Sequence, residues 1–217
     1  MTIDGTVNKT IISLFILILA AYYTFLNQNT GFIVIGGIGG FITAMVTYFK
    51  KEWSQYTVPI YAFLEGLALG GISSLYNAMY DGIVSQAVFL TFGILFSLLF
   101  AYKTKIIAPT ENFKLGIFAA TAGIGVVYLI SFIMSFFGSG LGLLSVQNSS
   151  LMSIGFSLFV VIIASLNLVL DFDFIEEGAE KGAPKYMEWY ATFGLMVTLI
   201  WLYLEILRLL AKLSNRR

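Results

Sequence analysis

The stretch LMSIGFSLFVVIIASLNLVL, residues Leu151–Leu170, runs for twenty positions without one charged side chain. Hydrocarbon offers a peptide backbone no hydrogen-bond partner, so a segment crossing its roughly 30 Å must close its own hydrogen bonds, which about 20 residues of α-helix do. Working outward, six further stretches are comparably long and largely apolar: residues 11–26, 32–49, 58–76, 83–102, 115–137 and 187–213. The sequence therefore predicts an all-α, polytopic membrane protein with seven transmembrane helices. The connections are short, so residues 1–217 are read as a single transmembrane domain.

Composition points the same way. Hydrophobic residues make up 59% of the 217-residue chain and charged ones 11%, an apolar excess that no water-soluble core absorbs. Twelve acidic and twelve basic side chains cancel, and no basic domain or tail is long enough to grip phosphates, so nucleic acid is not expected as a partner. Histidine and cysteine are both missing. That excludes His-ligated zinc, a Ser/His pair, a His-ligated haem and disulfides together. With no nucleophile-and-base pair or metal cage, neither an enzyme nor a cofactor is expected, and proton sensing has to use carboxylates held out of water.

The first segment reads as a retained helix rather than a cleaved signal. Lys9 is its single flanking base, and bulky Tyr22, Tyr23 and Phe25 follow Ala20-Ala21 where a cleavage site needs small residues. Lys9, Lys50, Lys51, Lys103, Lys105, Lys114, Lys181 and Lys185 fall on one side of an alternating path, while the opposite connections around Asn27, Asn77 and Gly140 carry no base. Short cytoplasmic loops retain Lys and Arg, which puts the N-terminus in the cytoplasm. Seven crossings then carry Lys212, Arg216 and Arg217 to the far side, against that rule, leaving open a re-entrant last segment or a count of six or eight.

Small residues form stripes at helical spacing: Gly36, Gly40, Thr43, Ala44 and Thr47 in the second segment, and Gly66, Gly70, Ser73, Ser74 and Asn77 in the third. Such stripes let helix backbones approach closely in lipid, within one chain or across a homodimer, and the intramolecular use is the commoner. Pro59 and Pro184 are read as flanking helices rather than interrupting them.

Two carboxylates stand where hydrocarbon is expected. Glu65 lies seven positions into the third segment and Glu205 well inside the last. Burying an ionised side chain at mid-membrane costs about 2.5–3.5 kcal/mol on insertion scales, so each should face protein or water. Arg208 follows Glu205 by three residues and offers it a local ion pair, whereas Glu65 has no cation within a turn. A third acidic feature is the exit of segment six, where Asn167 and Asp171 share a helix face and Asp173, Glu176, Glu177 and Glu180 follow. The cluster would concentrate cations at a membrane edge; the plain alternative is an acidic loop that keeps a helix end in water. It lacks the glycine and spaced final glutamate of an EF-hand, which leaves a weak calcium contact at Asp171 and Asp173.

Three stretches carry a resemblance: Tyr61-Ala62-Phe63-Leu64-Glu65-Gly66, Leu166-Asn167-Leu168-Val169-Leu170-Asp171-Phe172-Asp173, and Trp201-Leu202-Tyr203-Leu204-Glu205-Ile206-Leu207-Arg208-Leu209-Leu210. In their order and spacing the chain resembles the Bax inhibitor-1 family, the transmembrane Bax inhibitor motif proteins, particularly its bacterial branch. The resemblance implies a seven-helix fold with the last helix central, a bacterial plasma membrane location, and a pH-sensitive calcium leak gated by a carboxylate pair between helices six and seven. Asp171 matches the helix-six member. For helix seven, the Leu-Tyr-Leu-Glu match selects Glu205, while counting back from Arg208 selects Thr198, and in the second case one carboxylate of the pair is missing.

Helix direction places Glu205 more than ~20 Å from the level of Asp171 and Glu65 only ~10 Å deep from the same side, so Glu65 could stand in for the missing partner. The expected mechanism is a buried acid pair, Asp171 with Glu65 or Glu205 and with Asp173, Glu176 and Asn167 at the mouth, whose loss of a proton drives helices apart and opens a cation path. The expected partners are the lipid bilayer and Ca2+ or H+, with Ca2+ as permeant ion rather than cofactor, in a monomer or weak oligomer. A proton-coupled secondary transporter and a non-conducting protein that binds other membrane proteins are the alternatives.

Overall fold

The computed structural model describes residues 1–138 and 140–216; Arg217, one of the three bases expected on the far side, lies outside them. Among the described residues there are seven α-helices and no strand: α1 (Ile3–Asn27), α2 (Gly31–Phe49), α3 (Ser54–Met79), α4 (Ile83–Lys103), α5 (Glu111–Ser135), α6 (Leu151–Glu180) and α7 (Met187–Ser214). Short 3-10 turns at Lys51–Trp53 and Gly142–Leu144 join them. All seven helices are long and apolar enough to cross a bilayer. Their outward faces carry exposed Phe15, Phe41, Phe89 and Phe118, which only hydrocarbon would solvate well. The chain is an integral membrane protein.

Several helices outrun the apolar stretches that announced them, because caps and breakers set helix ends rather than hydrophobicity. Helix α1 begins eight residues before Ile11, where the Thr2 hydroxyl accepts from Gly5 N at 3.0 Å. Helix α5 begins at Glu111 behind Thr110, whose hydroxyl accepts from Phe113 N. Helix α6 continues through Asp171, Asp173 and Glu176 to Glu180, so the acidic run is helix and not an exit loop. It stops at Gly182, with φ +62°, followed by Pro184. Pro59 also departs from its expected place at a helix flank: it lies inside α3, where it cannot donate to the Gln55 carbonyl.

The chain divides into two compact units. Residues 1–81 and 171–197 form one, and residues 82–170 and 198–217 the other. In the first, α3 packs on both α1 and α2. Gly66 faces Leu17 and Ala20 of α1, and Gly70 faces Ala21, so α1 and α3 run in parallel register. On the other side of α3, Gly36 faces Ala68 and Gly40 faces Glu65, the antiparallel register of α2. Both small-residue stripes are therefore used within the chain. A Cβ on Gly66 would stand 2.5 Å from the Leu17 carbonyl oxygen and 2.8 Å from Ala20 Cβ. In the second unit, Ile117 and Ile124 of α5 pack with Val160 and Ile163 of α6, flanked by Phe113, Phe156 and Trp201. Helix α4 buries Ile83, Ala87, Thr91 and Leu95, one residue per turn.

Overpacking a close helix contact costs about 1–3 kcal/mol, whereas Gly→Ala in an open helix position gains up to about 1 kcal/mol. Gly66→Ala should therefore lower the thermal midpoint in detergent, and Gly123→Ala, which has nothing within 4 Å of its added carbon, should hold or raise it. Equal midpoints for the two variants would show that the α1–α3 contact is loose.

Candidate functional site

Among the described residues, the charged side chains fully buried in the protein are Glu188, Glu205 and Lys212, with exposures of 3%, 2% and 0%, and all three belong to α7. Each is answered by polar groups within its own unit. Near the start of α7, Glu188 accepts from Thr2 N at 2.9 Å and Thr2 Oγ1 at 3.1 Å, and forms an ion pair with Lys9. Gly5 leaves room for that carboxylate, since a Cβ there would lie 2.5 Å from Oε1. Lys9 also lies 5.6 Å from the Trp189 ring centroid. One turn along α7, Thr192 bonds Thr10 Oγ1 at 3.2 Å, and Ser54 donates to the Tyr186 carbonyl at 2.9 Å. The starts of α1, α3 and α7 are thus tied together.

Toward the other end of α7, Glu205 is held by a hydroxyl and a guanidinium. Tyr128 of α5 donates to Oε1 at 2.6 Å, and Arg208 Nη1 donates to Oε1 at 2.8 Å and Oε2 at 3.0 Å. Arg208 also donates to the Tyr128 hydroxyl at 2.7 Å and lies over its ring. One turn further, Lys212 donates to the Leu143 carbonyl at 2.9 Å, the Ser153 carbonyl at 3.3 Å and Ser157 Oγ at 2.9 Å. Three acceptors match the three protons of an ammonium. Lys212 is therefore a buried tether for the connection between α5 and α6, not a loose basic end.

The carboxylates singled out in the sequence fall in different places. Asp171 is half-buried on α6, nine residues before that helix ends, and its Oδ1 lies 3.4 Å from where a Cβ on Gly194 of α7 would stand. Thr198, also buried, is one turn beyond Gly194 on the same face of α7. Glu205 is eleven residues from Gly194, about 16 Å of helix rise, and is committed to Tyr128 and Arg208. Glu65 is turned toward Gly40 of α2 rather than toward α7, and lies eleven residues into α3, about 16 Å instead of ~10 Å. Asn167 donates to Thr121 Oγ1 and to the Ile163 carbonyl, both at 2.8 Å.

Asp173 is half-buried, Glu176 exposed, and Glu177 pairs with Lys181 at the surface. Because α6 is helical through 171 and 173, those two carboxylates point to different faces. Among the described residues no three Asp or Glu side chains converge on a point that could hold a metal.

Sequence reading missed Tyr128, Glu188 and Lys212. A phenol at mid-span in α5 and a lysine one turn from Arg208 were the available signals for two of them. Glu188 had no such signal, because it lies in the first turn of α7, where a solvated acid is equally at home.

A family model described as Bax inhibitor 1 like matches residues 1–215. No curated protein and no solved structure matches the chain significantly.

Removing one partner of a buried ion pair costs about 3–5 kcal/mol, because the other charge is left unanswered. Arg208→Met should destabilise the protein by that amount in thermal unfolding. Combining it with Glu205→Leu and Tyr128→Phe should restore most of the loss. A triple variant no more stable than Arg208→Met would mean the cluster does more than answer a charge.

Proposed function

Since the chain belongs to the Bax inhibitor 1 like family, we propose that it lets cations, calcium among them, leak down their gradient through a bacterial plasma membrane, with Asp171 as the proton-sensitive gate. The observation that carries this reading is the position of Asp171. Its carboxyl lies inside a membrane helix, half-buried, against a glycine of the next helix. A neutral carboxyl packs there more easily than an ionised one, because burial in a membrane helix penalises the charged form. Ionisation therefore favours an arrangement in which α6 and α7 admit solvent, and the same charge attracts the permeant ion. Asp173 and Glu176, three residues apart and so on neighbouring parts of one helix face, enrich cations where α6 ends.

Thr198 is the residue that makes this gate differ from a paired-carboxylate one. With Glu205 committed to Arg208 and Tyr128, Asp171 is the one carboxylate that this gate uses. The lysines of the alternate connections, Lys9, Lys50, Lys51, Lys181 and Lys185 among them, favour a cytoplasmic N-terminus.

The test is calcium flux in liposomes carrying a trapped calcium dye, measured against pH. Wild type should leak more as pH rises, with the steepness of about one proton. Asp171→Asn should flatten the profile, and Thr198→Asp should give it two-proton steepness. An unaltered profile in Asp171→Asn removes Asp171 from the role. Solute counterflow without calcium would instead indicate a proton-coupled transporter, and flux equal to that of empty liposomes would indicate a non-conducting binding protein.

A further inference from the structure

The Asp171 gate leaves Glu65 without a role. Glu65 lies eleven residues from Ser54 and fourteen from Met79, near the middle of α3. Its carboxyl fills the space where a side chain on Gly40 would begin: a Cβ there would stand 2.5 Å from Oε1 and 2.9 Å from Cδ. Only a glycine on α2 leaves room for it. The group is half-buried, and its neighbours one turn away on α3, Tyr61, Ala62, Ala68 and Leu69, are buried.

Nothing around this carboxyl supplies a countercharge. Helix α2 has no ionisable side chain before Tyr48. Its hydroxyls on the same stripe are committed, Thr43 to the Gly39 carbonyl at 2.7 Å and Thr47 to the Thr43 carbonyl at 2.8 Å and to Thr57 at 2.7 Å. Helix α1 meets α3 at Gly66 through Leu17 and Ala20. Its basic residue, Lys9, is eight positions before Leu17, about 12 Å along the helix, and is paired with Glu188. On α3 itself the titratable neighbour is Tyr61, one turn back, buried with its ring 5.1 Å from that of Phe193 of α7. Among the described residues no hydrogen bond or ion pair reaches Glu65.

We propose that Glu65 is a proton-binding site on the α2–α3 seam, a mid-membrane carboxyl that takes up and releases one proton independently of Asp171. Holding the proton, it packs against Gly40 as a neutral group. Losing it leaves a bare negative charge between two helices that meet through small residues and offer no cation, so α2 has to part from α3 until water or a cation reaches the seam. The ligand of this site is the hydrogen ion, delivered from within the apolar layer.

Dicyclohexylcarbodiimide, an apolar reagent that partitions into lipid, tests this directly. The carboxyl proton passes to a carbodiimide nitrogen and the carboxylate oxygen bonds to the central carbon. The resulting O-acylisourea rearranges by oxygen-to-nitrogen acyl migration to a stable N-acylurea, with no leaving group. Protein in phospholipid vesicles is treated at pH 6 and pH 9, digested and mapped by mass spectrometry. Glu65 should be the modified residue in wild type and equally in Asp171→Asn, with about tenfold or more adduct at the lower pH, as a single-proton site requires. A water-soluble carbodiimide should label it far less. Absence of an adduct at Glu65, or a yield that does not change with pH, overturns the proposal. Protection by calcium at constant pH overturns the proton as the ligand. The Asp171→Asn arm separates this result from the fate of the gate, since an adduct that persists there while calcium flux fails leaves the seam site standing alone.

Discussion

Everything in this molecule follows from the fact that hydrocarbon answers neither a backbone hydrogen bond nor a charge. The first half of that constraint makes seven helices, because a helix is the one segment that satisfies its own backbone in lipid. The second half decides the interior. Helix α7 carries Glu188, Glu205 and Lys212 into the protein, and each is met by a different solution: a lysine with two donors of Thr2, a guanidinium with a phenol, and a set of three oxygen acceptors. These three anchors tie α7 to α1 near its start, and to α5, α6 and their connection near its end.

Against that background, Asp171 and Glu65 stand apart from the anchors. Both are half-buried rather than sealed, and both lie against a glycine of a neighbouring helix. A glycine contact allows close packing while the carboxyl is neutral and offers nothing when it is charged. The same local chemistry therefore supports a gate at Asp171 and a proton site at Glu65, on different seams. Charges that are fully answered hold the helices together.

Much of the fold was legible before the structure. Hydropathy marks each of the seven spans, since the period and length of a membrane helix are written in consecutive residues. Helix ends were read less well. The acidic run from Asp171 to Glu180 reads as an exit because charge suggests water, yet Glu and Ala continue a helix readily and nothing before Gly182 and Pro184 stops it. Candidate residues were found where an anomaly is local, as with Glu65 and with Glu205 beside Arg208. They were missed where the anomaly is burial itself, as with Glu188 and Lys212, because a charge near a helix end looks the same in sequence whether it faces water or a cage of carbonyls.

The sequence alone determined the solvent, the number of spans and the absence of histidine and cysteine chemistry, because these depend on composition and on contacts between near neighbours in the chain. Tertiary structure alone decided which carboxylate meets which helix: Glu205 with Tyr128, Glu65 with Gly40, Asp171 with Gly194. Those contacts join residues 23 to 77 positions apart, and the rotation of one helix about its axis, set by how the small residues fit, fixes whether a side chain meets a partner, a glycine or lipid.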